Sequence, residues 1–443
     1  MKIYPPALEI GDKEGFTPEK DIFGLAELGK GMTNLVSTIS DPLVIAFNGK
    51  WGTGKTTFLK MWAGELRKLD FPVICFDAFE NDYVDDAFAV LAREIIELAE
   101  EATPGNERII DNFKKNSIKL GSQLLKGAAK VGTKVVIRAA TAGLAKESDF
   151  KEAIQEISDE AAEEYMSDFL TKPKEQKNIV GNFRKALEEL PTLISPPKDE
   201  EKQKPLVFII DELDRCKPLF ALQILERIKH FMSVPNVHFV FGVHLEQLER
   251  SVQFAYGTDI DDATVYLQKF INLTISNADI AEYDHDKHIT KYIKFLATNL
   301  SSANQQVIKF LQRVALKNSY SLRDLERIFT NIILATVFSS EREFNAPSLI
   351  AGLCILKVVE PKLFLKAKEG QLEYSDVEKT FGFSSLSSKD KNYKLDSDRD
   401  EWEYALSKLV SNRLVERYGE KELKVRKGYL ARANKIVDRL NPV

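Results

Sequence analysis

The stretch FNGKWGTGKTTFLKMW, residues 47–62, decides the fold. Gly49 is followed by four spacers and then by Gly54-Lys55-Thr56, which is the spacing of a phosphate-binding loop. Gly49, Gly52 and Gly54 let the backbone turn so that successive N–H groups point inward at phosphate oxygens. Before the loop, PLVIAFNG (residues 42–49) is a short apolar run rich in β-branched residues and reads as a buried parallel strand. After it, Thr57–Leu69 carries Phe58, Leu59, Met61, Trp62 and Leu66 at helical spacing. Strand, glycine loop and helix are the context such a loop requires, since the helix N-terminus adds partial positive charge at the same spot. Gly49, Gly52, Thr53, Gly54, Lys55, Thr56 and Thr57 are therefore the candidate nucleotide-binding residues. Lys55 would reach the β- and γ-phosphates, and Thr56 would place its hydroxyl on Mg²⁺.

A phosphate loop needs an acid at the end of a neighbouring strand to hold the metal's water shell. KPLVFIIDELDRCKP, residues 204–218, supplies one. Leu206–Ile210 are five consecutive apolar residues, a strand buried on both faces, with Asp211 and Glu212 at its carboxyl end. Asp211 is the candidate Mg²⁺ residue beside Thr56. Glu212 is placed to polarise the attacking water as general base.

Composition bounds the rest. A chain of 443 residues has room for two or three domains, and 44% hydrophobic with 29% charged residues describes an ordinary globular protein. A net charge of −5 gives no global pull onto nucleic acid or anionic lipid, so any such surface has to be local. Cys75, Cys216 and Cys354 are far apart and show no CxxC spacing, which points to reduced thiols in a cytoplasmic setting. No apolar leader opens MKIYPPALEIGDKEGF, and no long uncharged apolar run predicts a spanning helix.

Beyond the loop and the acids, IIDELDRC resembles the Walker B signature of the KAP family of P-loop NTPases, in which two acids precede Leu-Asp-Arg-Cys. FDAFENDYVDDAFAVLAREI (76–95) is similar to the family's Phe-Asn-Ala-Trp-x-Tyr segment, with Asp77 for Asn and Phe79 for Trp. NVHFVFGVHLEQLERSV with YLQKF, DIFGLAELGKGMTNLV and SLRDLERIFTNI (321–332) agree with it, so the resemblance covers roughly residues 20–340 minus one insertion. It implies an α/β P-loop NTPase fold of the additional-strand ASCE type, a parallel sheet with a helical insertion, a helical lid and a helical C-terminal region. The implied cofactors are ATP and Mg²⁺. The expected divisions are 1–102 and 204–278 for the two halves of the core, 103–203 for the insertion, 279–360 for the lid and 361–443 for the remainder. Arg323 matches the position from which such lids present an arginine to the γ-phosphate, and Lys269 is a candidate for a charge donated across a subunit interface. Two departures stand out. Glu212 replaces a frequent Asp, which favours a competent base; His244 replaces the usual Asp after the strand HFVFGV, which implies slow hydrolysis.

The insertion carries Lys119, Lys126, Lys130, Lys134 and Arg138, the last four spaced by four on one helical face, and a charged face of that width does not cross lipid. It reads as a solvated helix face, a surface for anionic lipid or nucleic acid, or one side of a hairpin with the acidic stretch 147–170. Asp284, His285, Asp286 and His288 fit a helix start better than a metal site. A polar stretch at about 384–401 reads as a linker to a basic tail with Lys421, Lys424, Arg426, Lys427, Arg432, Lys435 and Arg439. No nuclease or protease constellation is present, so an effector activity is expected to belong to partner proteins. The resemblance implies a regulatory ATPase acting with such partners, as in bacterial defence against phage or in signalling, with a homo-oligomer as a further option. A nucleotide-stabilised scaffold and a nucleic-acid-stimulated motor remain open alternatives at this point.

Overall fold

A computed structural model describes residues 8–84, 87–102, 111, 115, 173–197, 202–229, 234–257, 260–276, 278–299, 305–318, 320–338, 346–383, 393–406 and 429–439. The chain divides into a core unit, Glu9–Lys50 with Gly54–Ala278, and a helical unit, Met1–Leu8 with Trp51–Thr53 and Asp279–Val443.

In the core unit the order is α1 (Ala26–Thr38), β1 (Leu43–Asn48), α2 (Lys55–Lys68), β2 (Val73–Asp77), α3 (Ala87–Ala102), α4 (Pro173–Ile194), β3 (Leu206–Asp211), α5 (Pro218–Lys229), β4 (Val237–Val243), α6 (Leu245–Tyr256), α7 (Ile260–Leu267) and β5 (Leu273–Ser276). The strands form one parallel sheet in the order β2-β3-β4-β1-β5. A parallel sheet is covered by its crossover helices on both faces, which is why β1, β3 and β4 read as unbroken apolar runs. Val44, Ala46, Phe208, Ile210, Phe239 and Phe241 belong to one core, shared with α3, α4, α5 and α6. The alternate residue Phe47 stacks on Phe58 of α2 at 4.6 Å between ring centroids. The strand register levels the carboxyl ends: Asp77 pairs with Asp211, Asp211 with Gly242, and Phe47 with Gly242.

Helix α1 starts where the Asp21 carboxylate accepts the N–H groups of Leu25 (2.8 Å) and Ala26 (3.0 Å), donors that the helix itself leaves unsatisfied. It is tied to α2 by Trp62 Nε1, which donates to Thr33 Oγ1 at 3.0 Å. The polypeptide before α1 lies directly on α2: a Cβ on Gly64 would stand 2.5 Å from the Gly15 nitrogen. Of the insertion, α4 joins the core through Phe183, Leu187 and Leu190, spaced at one helical turn. The basic face 119–138 and the acidic stretch 147–170 lie outside the described residues. Among the described residues no helix is long and apolar enough to cross a membrane.

The helical unit comprises α8 (Ala278–Asn299), α9 (Gln305–Asn318), α10 (Leu322–Phe338), α11 (Pro347–Val359), α12 (Pro361–Lys368), α13 (Tyr374–Phe381), α14 (Tyr393–Leu406) and α15 (Tyr429–Asp438). Helix α11 is buried from Ser348 through Leu356, as expected of a helix that is apolar nearly all round. Gly352 is required where it stands, since a Cβ there would lie 2.3 Å from Trp402 Cζ2. The Trp402 Nε1–H donates to the Ser348 carbonyl at 3.2 Å. Helix α14 runs through part of the stretch that reads as a linker, because its acids are buried and partnered rather than solvated. Asp398 accepts from Gln306 Nε2 (2.9 Å) and from the Ser348 hydroxyl, and lies 3.7 Å from the Arg313 guanidinium. That guanidinium lies 5.1 Å from the ring centres of both Phe310 and Phe383, which neighbour each other. Residues 384–392 and 421–428 lie outside the described residues. From the basic tail, α15 packs on α11 and buries Ala433 and Val437.

Trp402 fills the gap beside Gly352, so Trp402→Ala should destabilise the helical unit by about 3–5 kcal/mol, read as a lower denaturant midpoint. Trp402→Phe, which keeps a ring but loses the indole donor, should cost less.

Candidate functional site

The loop between β1 and α2 leaves the sheet with the Gly49 N–H donating to the Val243 carbonyl of β4 at 3.0 Å. Gly52 (φ 77°) and Gly54 (φ 87°) adopt left-handed backbone angles, the kind of turn that builds an anion nest and that side chains resist. Lys55 opens α2 and is only 8% exposed. Its Nζ donates to the carbonyls of Gly49 (2.5 Å) and Lys50 (3.2 Å). Burial pulls its pKa below the usual lysine range, opposed by the carboxylates of Asp214 and Asp211. Thr56 and Thr57 follow, both half-buried in the first turn.

Asp211 ends β3, and its carboxylate accepts a hydrogen bond from the Glu212 N–H at 2.9 Å and lies close enough to the Thr56 hydroxyl for that group to favour its ionised form. Burial raises its pKa, and these two donors with the Lys55 charge counter the rise. Space for this carboxylate exists only because residue 242 is glycine: a Cβ there would stand 2.2 Å from Asp211 Oδ1 and 2.6 Å from Leu59 Cδ1. Glu212 follows with φ 59°, and its side chain pairs with Arg215 Nη1 at 2.8 Å. Burial raises the Glu212 pKa. Arg215 opposes that shift, while Asp77, Asp211 and Asp214 add to it. Asp77, level with Asp211 on β2, accepts the N–H groups of Phe79 and Glu80 at 2.9 and 3.0 Å.

The sequence-predicted residues Gly49, Gly54, Lys55, Thr56, Thr57, Asp211 and Glu212 all belong to the core unit. Gly52 and Thr53 group with the helical unit, where the Leu322 N–H donates to the Gly52 carbonyl at 3.1 Å. Arg323 is exposed in the first turn of α10, which Ser321 and Asp324 cap reciprocally. His244 caps α6 with its backbone carbonyl, and its Nε2 lies 3.7 Å from Glu246 Oε2. Lys269 is exposed, with Nζ 5.2 Å from the Tyr266 ring centre. Of the acid–histidine cluster in α8, the side chains of Asp284 and His285 lie outside the described ones. Sequence reasoning passed over Gly242, Asp214 and Arg215. A glycine inside the apolar run VHFVFGV was a legible signal of close approach.

The donors beside Lys55 are oxygens only, the Thr56 hydroxyl and the Asp211 carboxylate, which suits a hard cation such as Mg²⁺. The glycine turn at the start of α2 suits phosphate. Sheet order, loop and acids together define a nucleotide-binding P-loop NTPase. A family model described as the KAP family P-loop domain matches residues 30–345, and the chain belongs to that family. No curated protein matches the chain.

The room left by Gly242 yields a direct test. Gly242→Ala should leave the fold intact by circular dichroism but displace the Asp211 carboxylate. The Mg²⁺ concentration needed for nucleotide binding should then rise about tenfold, read by titration of a fluorescent nucleotide.

Proposed function

We propose that the chain is a Mg²⁺-dependent ATPase whose nucleotide cycle serves as a switch. The observation that carries this reading is the placement of the Asp211 carboxylate, over Gly242 at the strand ends and close to the Thr56 hydroxyl, beside the buried Lys55. Lys55 would exchange its two loop carbonyls for the β- and γ-phosphate oxygens of ATP, a charge-assisted contact stronger than the ones it gives up. The backbone of Gly49–Thr57 would take the remaining phosphate oxygens. Thr56 directly, and Asp211 through water, would hold Mg²⁺, which when bound neutralises phosphate charge. Glu212 would accept a proton from the attacking water as its oxygen bonds to the γ-phosphorus and the bond to the β,γ-bridging oxygen breaks, giving ADP and phosphate. ATP is taken as the nucleotide because no guanine-reading segment is evident in the sequence.

The switching part of the reading rests on the family resemblance, in which a helical lid follows the core. Arg323, whose Cβ neighbours Gly52, would sense the γ-phosphate. In this reading the switch acts in the cytoplasm on separate protein partners, and phage defence is the setting that the family resemblance suggests. One observation favours a second reading, a nucleotide-stabilised scaffold with little turnover: His244 stands where the family usually has an acid.

Steady-state hydrolysis separates the two. Glu212→Gln should bind ATP and lower turnover roughly 10²- to 10⁴-fold, and chelation of Mg²⁺ should abolish turnover in the wild type. Lys55→Ala should weaken ATP binding by about tenfold or more. Wild-type turnover no faster than that of Glu212→Gln would instead favour the scaffold.

A further inference from the structure

We propose that Arg215 is a positioning residue for hydrolysis: it holds the Glu212 carboxylate in the orientation from which that group takes its proton. The proposal rests on the reading of Glu212 as the base. It begins from the backbone. Among the described residues only Asp70, Glu212 and Asn236 are non-glycine residues with positive φ, so Glu212 sits in a conformation that must be held by its surroundings. They hold it on both sides. Its N–H donates to Asp211 Oδ1 (2.9 Å) and to the Gly242 carbonyl (3.2 Å), while its own carbonyl accepts the Arg215 N–H at 3.0 Å. The short 3₁₀ turn Leu213–Arg215 closes over this point, and the Cys216 thiol lies 3.6 Å from the same carbonyl.

That framework fixes the main chain of residue 212 and leaves the side chain free to turn. Lys55 attracts its carboxylate, whereas Asp77, Asp211 and Asp214 each repel it. Arg215, one turn on, opposes that repulsion with an ion pair at 2.8 Å, in which the two side chains are only 28% and 15% exposed. A pair so shielded is screened far less than a surface pair. The turn therefore works as a bracket: the same few residues that force Glu212 into the left-handed region deliver the guanidinium to its carboxylate.

The test uses the full chain with ATP and Mg²⁺, comparing wild type, Arg215→Ala, Arg215→Lys, Glu212→Gln and the Glu212→Gln/Arg215→Ala double variant. Arg215→Ala should lower kcat roughly 10- to 100-fold, the scale of a misplaced catalytic group, with little change in ATP affinity. Arg215→Lys should recover part of the loss, and adding Arg215→Ala to Glu212→Gln should cost nothing more. The proposal is overturned if Arg215→Ala turns over at or above the wild-type rate while Glu212→Gln is inactive. It is equally overturned if Arg215→Ala costs the same factor in both backgrounds. If wild type and Glu212→Gln hydrolyse alike, the base assignment itself fails, and the role of Arg215 goes with it. Should Arg215→Ala not fold, Arg215→Lys and Arg215→Gln carry the same comparison.

Discussion

The approach of Asp211 toward Thr56 has to cross a strand. β4 lies between β3 and β1 in the sheet, so the acid at the end of β3 is separated from the loop after β1 by a full strand width. In register, Asp211, Gly242 and Phe47 form one row across the three strands, and the middle member has no side chain. The carboxylate leans over Gly242 toward the Thr56 hydroxyl at the start of α2. Any larger residue at 242 would occupy the volume that the carboxylate uses. The sheet order and the site chemistry are thus coupled through one missing Cβ.

Lys55 is buried and Asp211 half-buried, and neither charge is tolerable there alone. Lys55 commits its donors to the carbonyls of Gly49 and Lys50 and is flanked by Asp214 and Asp211. Asp211 draws on Thr56, the Glu212 N–H and Lys55. Each partner is placed by a backbone feature, whether the glycine turn, the strand end or the left-handed residue 212. On the proposed reading, such placement would favour transferring the lysine from carbonyls to a phosphate without rebuilding the loop.

Much of this was legible in the sequence because it depended on local rules. Glycine spacing, an apolar run before it and helical periodicity after it gave β1, the loop and α2, and the run LVFII followed by two acids gave β3 and its end. What escaped reading depended on tertiary neighbours. Gly242 matters because of Asp211, thirty-one positions away in sequence but level with it in the sheet. Arg215 was visible only as part of a signature, since an ion pair to Glu212 requires the tight turn between them. The stretch 393–401 was misleading for the opposite reason. Its acids look solvated by composition, yet Asp398, Asp400 and Glu401 are buried in the helical unit, where Ser348 and Gln306 supply partners to Asp398.

The charge pattern at the strand ends bears on the form in which a nucleotide would enter. Asp77, Asp211, Glu212 and Asp214 interact with one another around Lys55 and Arg215, an excess of acid over base in a partly buried place. A triphosphate brought to Lys55 alone would add negative charge to that excess, at a cost that the single lysine does not offset. A divalent cation arriving with the nucleotide removes the conflict, and the oxygen donors at Thr56 and Asp211 lie where it would be wanted. On the proposed reading, the same acids that make the site unwelcoming to a bare nucleotide would make it selective for the metal-bound form, so that nucleotide and metal would enter as one ligand rather than two.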